Sequence, residues 1–119
     1  MTLNADIVRE VLLQVECHRA QQEGIDLQIN GQAGETISEH VRLLCEGGYL
    51  EARPVGHSAG TVWKPVCLTC LGRDFLDVAI FEMAWITAKD ALHDKGGALT
   101  LEALSAALRS VAREMLVSP

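Results

Sequence analysis

The sequence predicts an α+β domain, and three observations carry that expectation. Apolar residues recur at helical spacing near both ends of the chain and again after Thr36. Residues 25–30 alternate apolar and polar side chains in the period of a half-buried strand. Residues 49–53 and 61–64 flank a turn-rich stretch as the two arms of a hairpin. Taken in chain order, these give helix, strand, helix and β-hairpin, which is a winged-helix-like core, followed by a C-terminal helical extension. One domain over residues 1–119 is expected, with the core at 1–68, the wing at about 49–66 and the extension at 69–119.

Asn4 is placed as the N-cap of the first helix, with Asp6 in its first turn and Ile7, Val8, Val11, Leu12 and Val15 on one face. That helix is expected to end near Ala20, with a stop at Gln21, Gln22, Glu23 and Gly24. Ile25, Leu27 and Ile29 then alternate with Asp26, Gln28 and Asn30 as a strand, which the turn pair Asn30 and Gly31 closes. Thr36 and Glu39 stand three residues apart as in a capping box, so the second helix is expected to start there. Ile37, Val41 and Leu44 form its apolar face, flanked by Leu43 and Cys45, and Gly47 and Gly48 end it. Between the arms of the hairpin, residues 54–60 read as a loop, and Pro65 stands at the far end of the second arm. Helical period returns at Thr69 and runs to about His93, a length that implies a bend or break between Val78 and Glu82. Lys95, Gly96 and Gly97 end that run. Thr100 then caps a last helix with Leu101, Leu104, Leu108, Val111 and Met115 along one stripe.

Composition narrows the classes of function. A hydrophobic share of 49% with 22% charged residues argues for a packed core and against disorder. The net charge of −6 opposes non-specific attraction to phosphate, so any nucleic-acid role needs a local basic patch. There is no basic segment leading into an apolar run, and no apolar stretch approaches the roughly 20 residues that span a bilayer. A soluble cytoplasmic protein that does not engage a membrane is therefore expected, with Cys17, Cys45, Cys67 and Cys70 as reduced thiols, of which Cys67 and Cys70 are expected to be buried or half-buried.

Few residues suggest chemistry. Cys67 and Cys70 have zinc-ligand spacing and His57 offers a third ligand, but a closed tetrahedral site needs four and no second pair of similar spacing exists. A redox role lacks the thioredoxin-like βαβ context in which a reactive C-x-x-C opens a helix after a strand. Cys17 and His18 are neighbours on a helix and point about 100° apart, so they do not form a nucleophile–base pair. His40, His57 and His93 are scattered and read as solvated. Trp63 and Trp85 read as packing residues, although Trp63 on an outward wing face would be free to touch a partner. No phosphate-cradling loop, triad order or metal-binding helix motif appears, so no enzyme and no cofactor or metal is expected.

Helix 1, "IDLQING", "ISEHVRLLCEGGYLEA", "CLTCLGRDFLDVA", then Trp85 with Lys89, and finally "KGGALTLEALSAALRSVAREML" follow one another in a distinctive order. Together they resemble a bacterial and phage-associated family, domain of unknown function 2513, over nearly the whole chain. Leu43, Leu44, Gly48, Tyr49 and Leu50 carry the likeness most specifically, with Leu68, Thr69, Gly72, Phe75 and Leu76, then Gly96 and Gly97. The resemblance implies a winged-helix-like domain with a helical extension, encoded in bacteria or prophages, and it implies no activity. This chain departs from the family pattern at Cys70, where an aromatic residue is usual, and after Asp77, where a polar segment is replaced by the apolar run from Val78 to Ile86. That run is apolar nearly all round, which suggests burial on more than one side and a homodimer through the C-terminal helices.

The leading expectation is a non-enzymatic, prophage-associated regulator that binds duplex DNA through the wing region, with Arg42, Arg53, His57 and Lys64 as the basic patch. Two features oppose it. The polar side of helix 2, with Glu35, Ser38, Glu39, His40, Arg42 and Glu46, is acidic, and one helix stands before the hairpin where a helix-turn-helix has two. Gln32, Ala33, Gly34 and Glu35 are expected to form a turn in place of the missing helix. The alternative is a protein–protein interaction module that binds a host or phage protein without touching nucleic acid.

Overall fold

The computed structural model describes residues 3–18, 24–57, 60–96 and 98–117. It contains α1 (Ala5–Cys17), α2 (Gly34–Glu46), β1 (Leu50–His57), β2 (Gly60–Leu68), α3 (Cys70–Ala79), α4 (Glu82–Lys95) and α5 (Leu101–Val117). Among the described residues the fold is thus mixed α+β, with five helices and a two-stranded antiparallel sheet.

The capping chemistry of α1, α3 and α5 is as local sequence dictates. Asn4 Oδ1 accepts the Asp6 and Ile7 amides at 2.9 and 3.2 Å, Thr69 Oγ1 accepts the Gly72 amide, and Thr100 Oγ1 accepts that of Ala103. α1 ends at Cys17; Ala20, Gln21, Gln22 and Glu23, where its end and stop were expected, lie outside the described residues, as does Gly97. The expected break in the long helical run falls at Ile80 and Phe81, between α3 and α4.

Three expectations are corrected. Residues 25–30 form no ladder: residues 25–29 have no regular secondary structure, Asn30 enters a turn, and Ile25 donates one backbone hydrogen bond to Pro65 O at 2.7 Å. Alternation marks a half-buried extended segment, but a strand also requires a free edge in register. α2 starts at Gly34, two residues before the expected capping box, with Ala33 as an N-cap that makes no side-chain bond. Glu39 turns toward Arg42 instead of back to the helix start. The loop expected at 54–60 is mostly strand, for the ladder continues through Pro54↔Trp63, Val55↔Val62, Gly56↔Thr61 and His57↔Gly60. Pro54 is tolerated because Trp63 directs its own N–H away from β1, to Ser38 Oγ at 2.8 Å; this is a pair that exchanges no backbone bond. Val66 is the extra residue at a bulge opposite Glu51 and Ala52.

One core joins all the elements. α1 contributes Ile7, Val8, Val11, Leu12 and Val15, α2 contributes Ile37, Val41 and Leu44, and Leu50 and Leu68 close the base of the hairpin. Phe75, Leu76, Trp85, Ala88, Leu104, Leu108 and Val111 extend it through α3, α4 and α5. Each fully buried aliphatic of this kind contributes about 1.5–3 kcal/mol. Tyr49, Phe75 and Trp85 stack edge to face in series, with centroids 5.7 and 6.2 Å apart. Tyr49 also shares a 2.6 Å hydroxyl bond with Ser105, tying α5 to the hairpin base. Gly48, with φ of +84°, ends α2 as the left-handed residue, and Tyr49 N–H returns to Leu44 O at 2.9 Å.

Candidate functional site

Two surfaces stand out, and they differ in chemistry. The first is formed by α2 and the hairpin, where the sequence placed its candidate residues. On α2 the exposed side shows Glu35, Glu39, Arg42 and Glu46. Arg42 is clamped along its own helix: Nε and Nη2 donate to Glu39, and Nη1 donates to Glu46 Oε1 at 2.6 Å. The pair with Glu39, and then the bond to Glu46, hold the guanidinium above its ordinary range, and Arg42 in turn holds Glu39 below the usual carboxylate range.

Ser38 and His40 do not belong to this polar side. Ser38 is buried under Trp63, and His40 is inaccessible to solvent rather than solvated as expected. The imidazole bridges α2 and the start of α1: Nδ1 lies 2.7 Å from Thr36 O, and Nε2 lies 2.9 Å from the Asn4 amide. The tautomer that satisfies both partners carries its proton on Nδ1.

On the hairpin, Arg53 and Lys64 are partners across the ladder, and Arg53 is exposed. Lys64 Nζ is held by Asp26 Oδ1 at 2.7 Å, and that ammonium keeps the Asp26 carboxyl low. His57 ends β1 and its side chain lies outside the described residues. Arg42 is therefore engaged on α2 and Lys64 by Asp26, and Arg53 and Lys64 sit side by side on the hairpin. Trp63 is half-buried against the core, as a packing residue.

The second surface is the corner between α3 and α4. Ala79, Ala84, Trp85 and Ala88 turn inward, but Ile80, Phe81, Met83 and Ile86 stay exposed, Met83 by 71%. The chain itself thus buries one side of the apolar run, not several. The corner is firmly built. Arg9 donates from Nε to Ala79 O at 2.7 Å and from Nη2 to Ile80 O at 3.2 Å, satisfying carbonyls that the end of α3 leaves open, and it pairs with Glu82 at 3.1 Å. Trp85 is flanked by the Arg9 and Lys89 cations, 5.8 and 5.5 Å from its ring. Its indole N–H reaches Asp6 Oδ1 at 3.0 Å, and Lys89 Nζ meets the same oxygen at 2.8 Å. The bond from Lys89 is the main reason that the Asp6 carboxyl lies below its ordinary value, against a smaller opposing effect of burial.

Cys67 is half-buried as expected, whereas Cys70 is less buried than expected. Cys17 and Cys70 are exposed, while Cys45 and Cys67 are half-buried. Cys67 Sγ–H donates to Glu51 Oε2 at 3.3 Å, and burial first, then that carboxylate, pushes the thiol up. Among the described residues no three His, Cys, Asp or Glu side chains converge as metal ligands, and no helix is long and apolar enough to cross a membrane.

Comparison with known proteins bears on the whole arrangement. An uncharacterised protein of Haemophilus influenzae is 27% identical over 119 residues, covering 98% of this chain and 99% of the relative. No solved structure matches the chain at a significant level. The family described as hypothetical protein, DUF2513, matches residues 2–98, which run from just before α1 to just past α4 and carry both surfaces. On that match the chain belongs to the DUF2513 family.

Proposed function

We propose that this chain is a non-catalytic interaction module on a winged-helix-like frame, and that its partner is a protein rather than duplex DNA. The observation that carries the reading is the double clamp on Arg42 by Glu39 and Glu46. A helix that reads base edges presents unpaired Arg, Lys, Asn or Gln to the groove. α2 presents three carboxylates, Glu35 and Glu46 exposed and Glu39 half-buried, around one neutralised guanidinium. Supporting the frame are the order α1, extended segment, α2, hairpin, and the Ile25 to Pro65 bond that lays the segment beside β2. No helix lies between Gly24 and Ala33 to serve as the first half of a helix-turn-helix. On this reading residues 69–119 form a helical extension of a single domain, working in the cytoplasm of a bacterium or as part of a prophage.

Fluorescence anisotropy with a random duplex and with DNA from the chain's own locus, at low and near-physiological salt, tests the proposal. Absence of binding to either duplex supports it; tight binding that persists in salt overturns it.

A second reading, a DNA-binding regulator, is favoured by one observation. Arg53 and Lys64 are cross-strand partners, which sets two cations side by side on the hairpin. If the wing contacts phosphate, Arg53→Glu with Lys64→Glu abolishes affinity for duplex; a surface that binds protein through α2 or the α3–α4 corner is indifferent to that change.

A further inference from the structure

We propose that the α3–α4 corner docks a basic amphipathic segment of another protein, with apolar side chains on the patch and Lys or Arg on its rim; the inference rests on the protein-partner reading and names that partner's chemistry. Within seven residues the corner leaves Ile80 50%, Phe81 60%, Met83 71% and Ile86 38% exposed. Carboxylates bracket these side chains. Asp77 precedes Ile80 by three residues at the end of α3, and Asp90 follows Ile86 by four on α4, so each stands about one helical turn from an apolar neighbour. Both are exposed, and neither forms an ion pair with another described residue.

The cations nearest the corner do not offset those carboxylates. Arg9 is held by Glu82 at 3.1 Å and Lys89 by Asp6 at 2.8 Å. The uncompensated charge on the rim is therefore negative, in a chain of net −6. The backbone beneath is ordered before anything docks: Arg9 pins the Ala79 and Ile80 carbonyls, and Phe81 O accepts Trp85 N–H at 2.9 Å. Little backbone freedom remains to be lost on association.

Charge selects the occupant. A second copy would bring the same carboxylates to the same patch, and a duplex would bring phosphates. A cationic segment meets attraction at both ends of the patch instead. Size points the same way. Roughly 400 Å² of exposed apolar surface falls short of what holds two folded domains together, but it suits a short segment that binds through two or three anchors. Met83, unbranched and the most exposed of the four, adapts its side chain to whatever apolar anchor it meets.

Calorimetric titration of the whole chain with a synthetic peptide of Leu and Lys at helical spacing, about 14 residues long, tests this. Oligolysine and a Leu/Glu peptide of equal length are the comparisons. The Leu/Lys peptide should bind in the micromolar range, and the other two at least about tenfold more weakly, for each lacks one half of the match. Met83→Ser, with an unchanged melting temperature, should weaken the Leu/Lys peptide about tenfold, and Phe81→Ser serves as the second variant. Asp77→Asn with Asp90→Asn should weaken it about threefold at low salt. Glu35→Gln with Glu46→Gln, which removes as much charge from α2, should leave it unchanged. No binding of the Leu/Lys peptide, equal binding of oligolysine, or an affinity that the corner variants do not move would each overturn the inference. So would a dimer of the chain alone in sedimentation velocity that Met83→Ser abolishes, since the patch would then belong to a second copy. A chain that ignores both the Leu/Lys peptide and duplex DNA overturns this inference alone, whereas tight duplex binding that persists in salt sinks the protein-partner reading.

Discussion

The α2 and hairpin surface and the α3–α4 corner are both exposed, yet of the two it is the corner whose described side chains find least within their own chain. On α2, Arg42 finds carboxylates three and four residues away, and on the hairpin Lys64 finds Asp26. Exposed ions with opposite charges in reach balance one another at little gain in stability, and a surface balanced that way offers little to phosphate. Apolar side chains have no such local remedy. Ile80, Phe81 and Met83 can leave water only against another surface, while their neighbours Ala79, Ala84 and Trp85 are already used by the core. Charge patterning and apolar exposure therefore carry unequal information about contact.

The largest expected effect tests whether the two regions share one cooperative fold. A Cβ on Gly72 would stand 1.9 Å from Tyr49 O, which is backbone at the joint between hairpin and α3. Gly72→Ala should cost about 3 kcal/mol or more in urea unfolding, with fluorescence and circular dichroism moving together. If the Trp85 signal were lost while the helical signal stayed, the regions would be separable.

Next, His40→Ala removes the bridge from α2 to α1 and strands the Asn4 amide. A loss of about 2–3 kcal/mol is expected from the void and the unpaired donor. An unchanged midpoint would mean that α1 docks on α2 without it.

A smaller effect concerns the corner's support. Asp6 is held low in the folded state, chiefly by Lys89, so its contribution is present above the unfolded pKa of about 3.9 and fades as pH falls through the lower folded value. Because the Asp6 side chain is 69% exposed, solvent screening keeps this below about 1 kcal/mol. Asp6→Asn should lower stability slightly at pH 7 and flatten its dependence below about pH 4. A variant as pH-sensitive as the wild type in that window would remove Asp6 as the cause.

The smallest effect addresses the other side of the comparison. Glu39→Gln with Glu46→Gln frees Arg42 and removes two negative charges from α2. Duplex affinity at low salt should rise by about threefold at most and vanish near physiological salt, as expected for one added phosphate contact. A sequence-selective gain that survives salt would show α2 to be a masked reading helix and would undo the contrast.

Much of this was legible in the chain. The caps at Asn4, Thr69 and Thr100, the stripe on α1 and the break after Val78 were readable because each depends on residues within a turn or two of one another. Other local signals concern the burial and pairing of single side chains. His40 lies between Ile37 and Val41 and four residues before Leu44, so helical spacing alone places it on the apolar face. The Arg42 clamp is likewise written in the spacing of Glu39 and Glu46. Other features had no local signature. Asp26 and Lys64 stand far apart in sequence and meet only because Gly24 packs against Lys64, with the space for a side chain there already filled by Lys64 Cβ.

The sequence by itself determined the helices, their caps and the existence of a hairpin, because backbone hydrogen bonds and side-chain period act over a few residues. Tertiary structure alone decided that residues 25–30 find no strand partner, that β1 reaches His57, and that one side of α4 buries Trp85 while the other leaves Met83 in solvent. Those outcomes depend on which surfaces the rest of the chain brings alongside, and no local pattern encodes that.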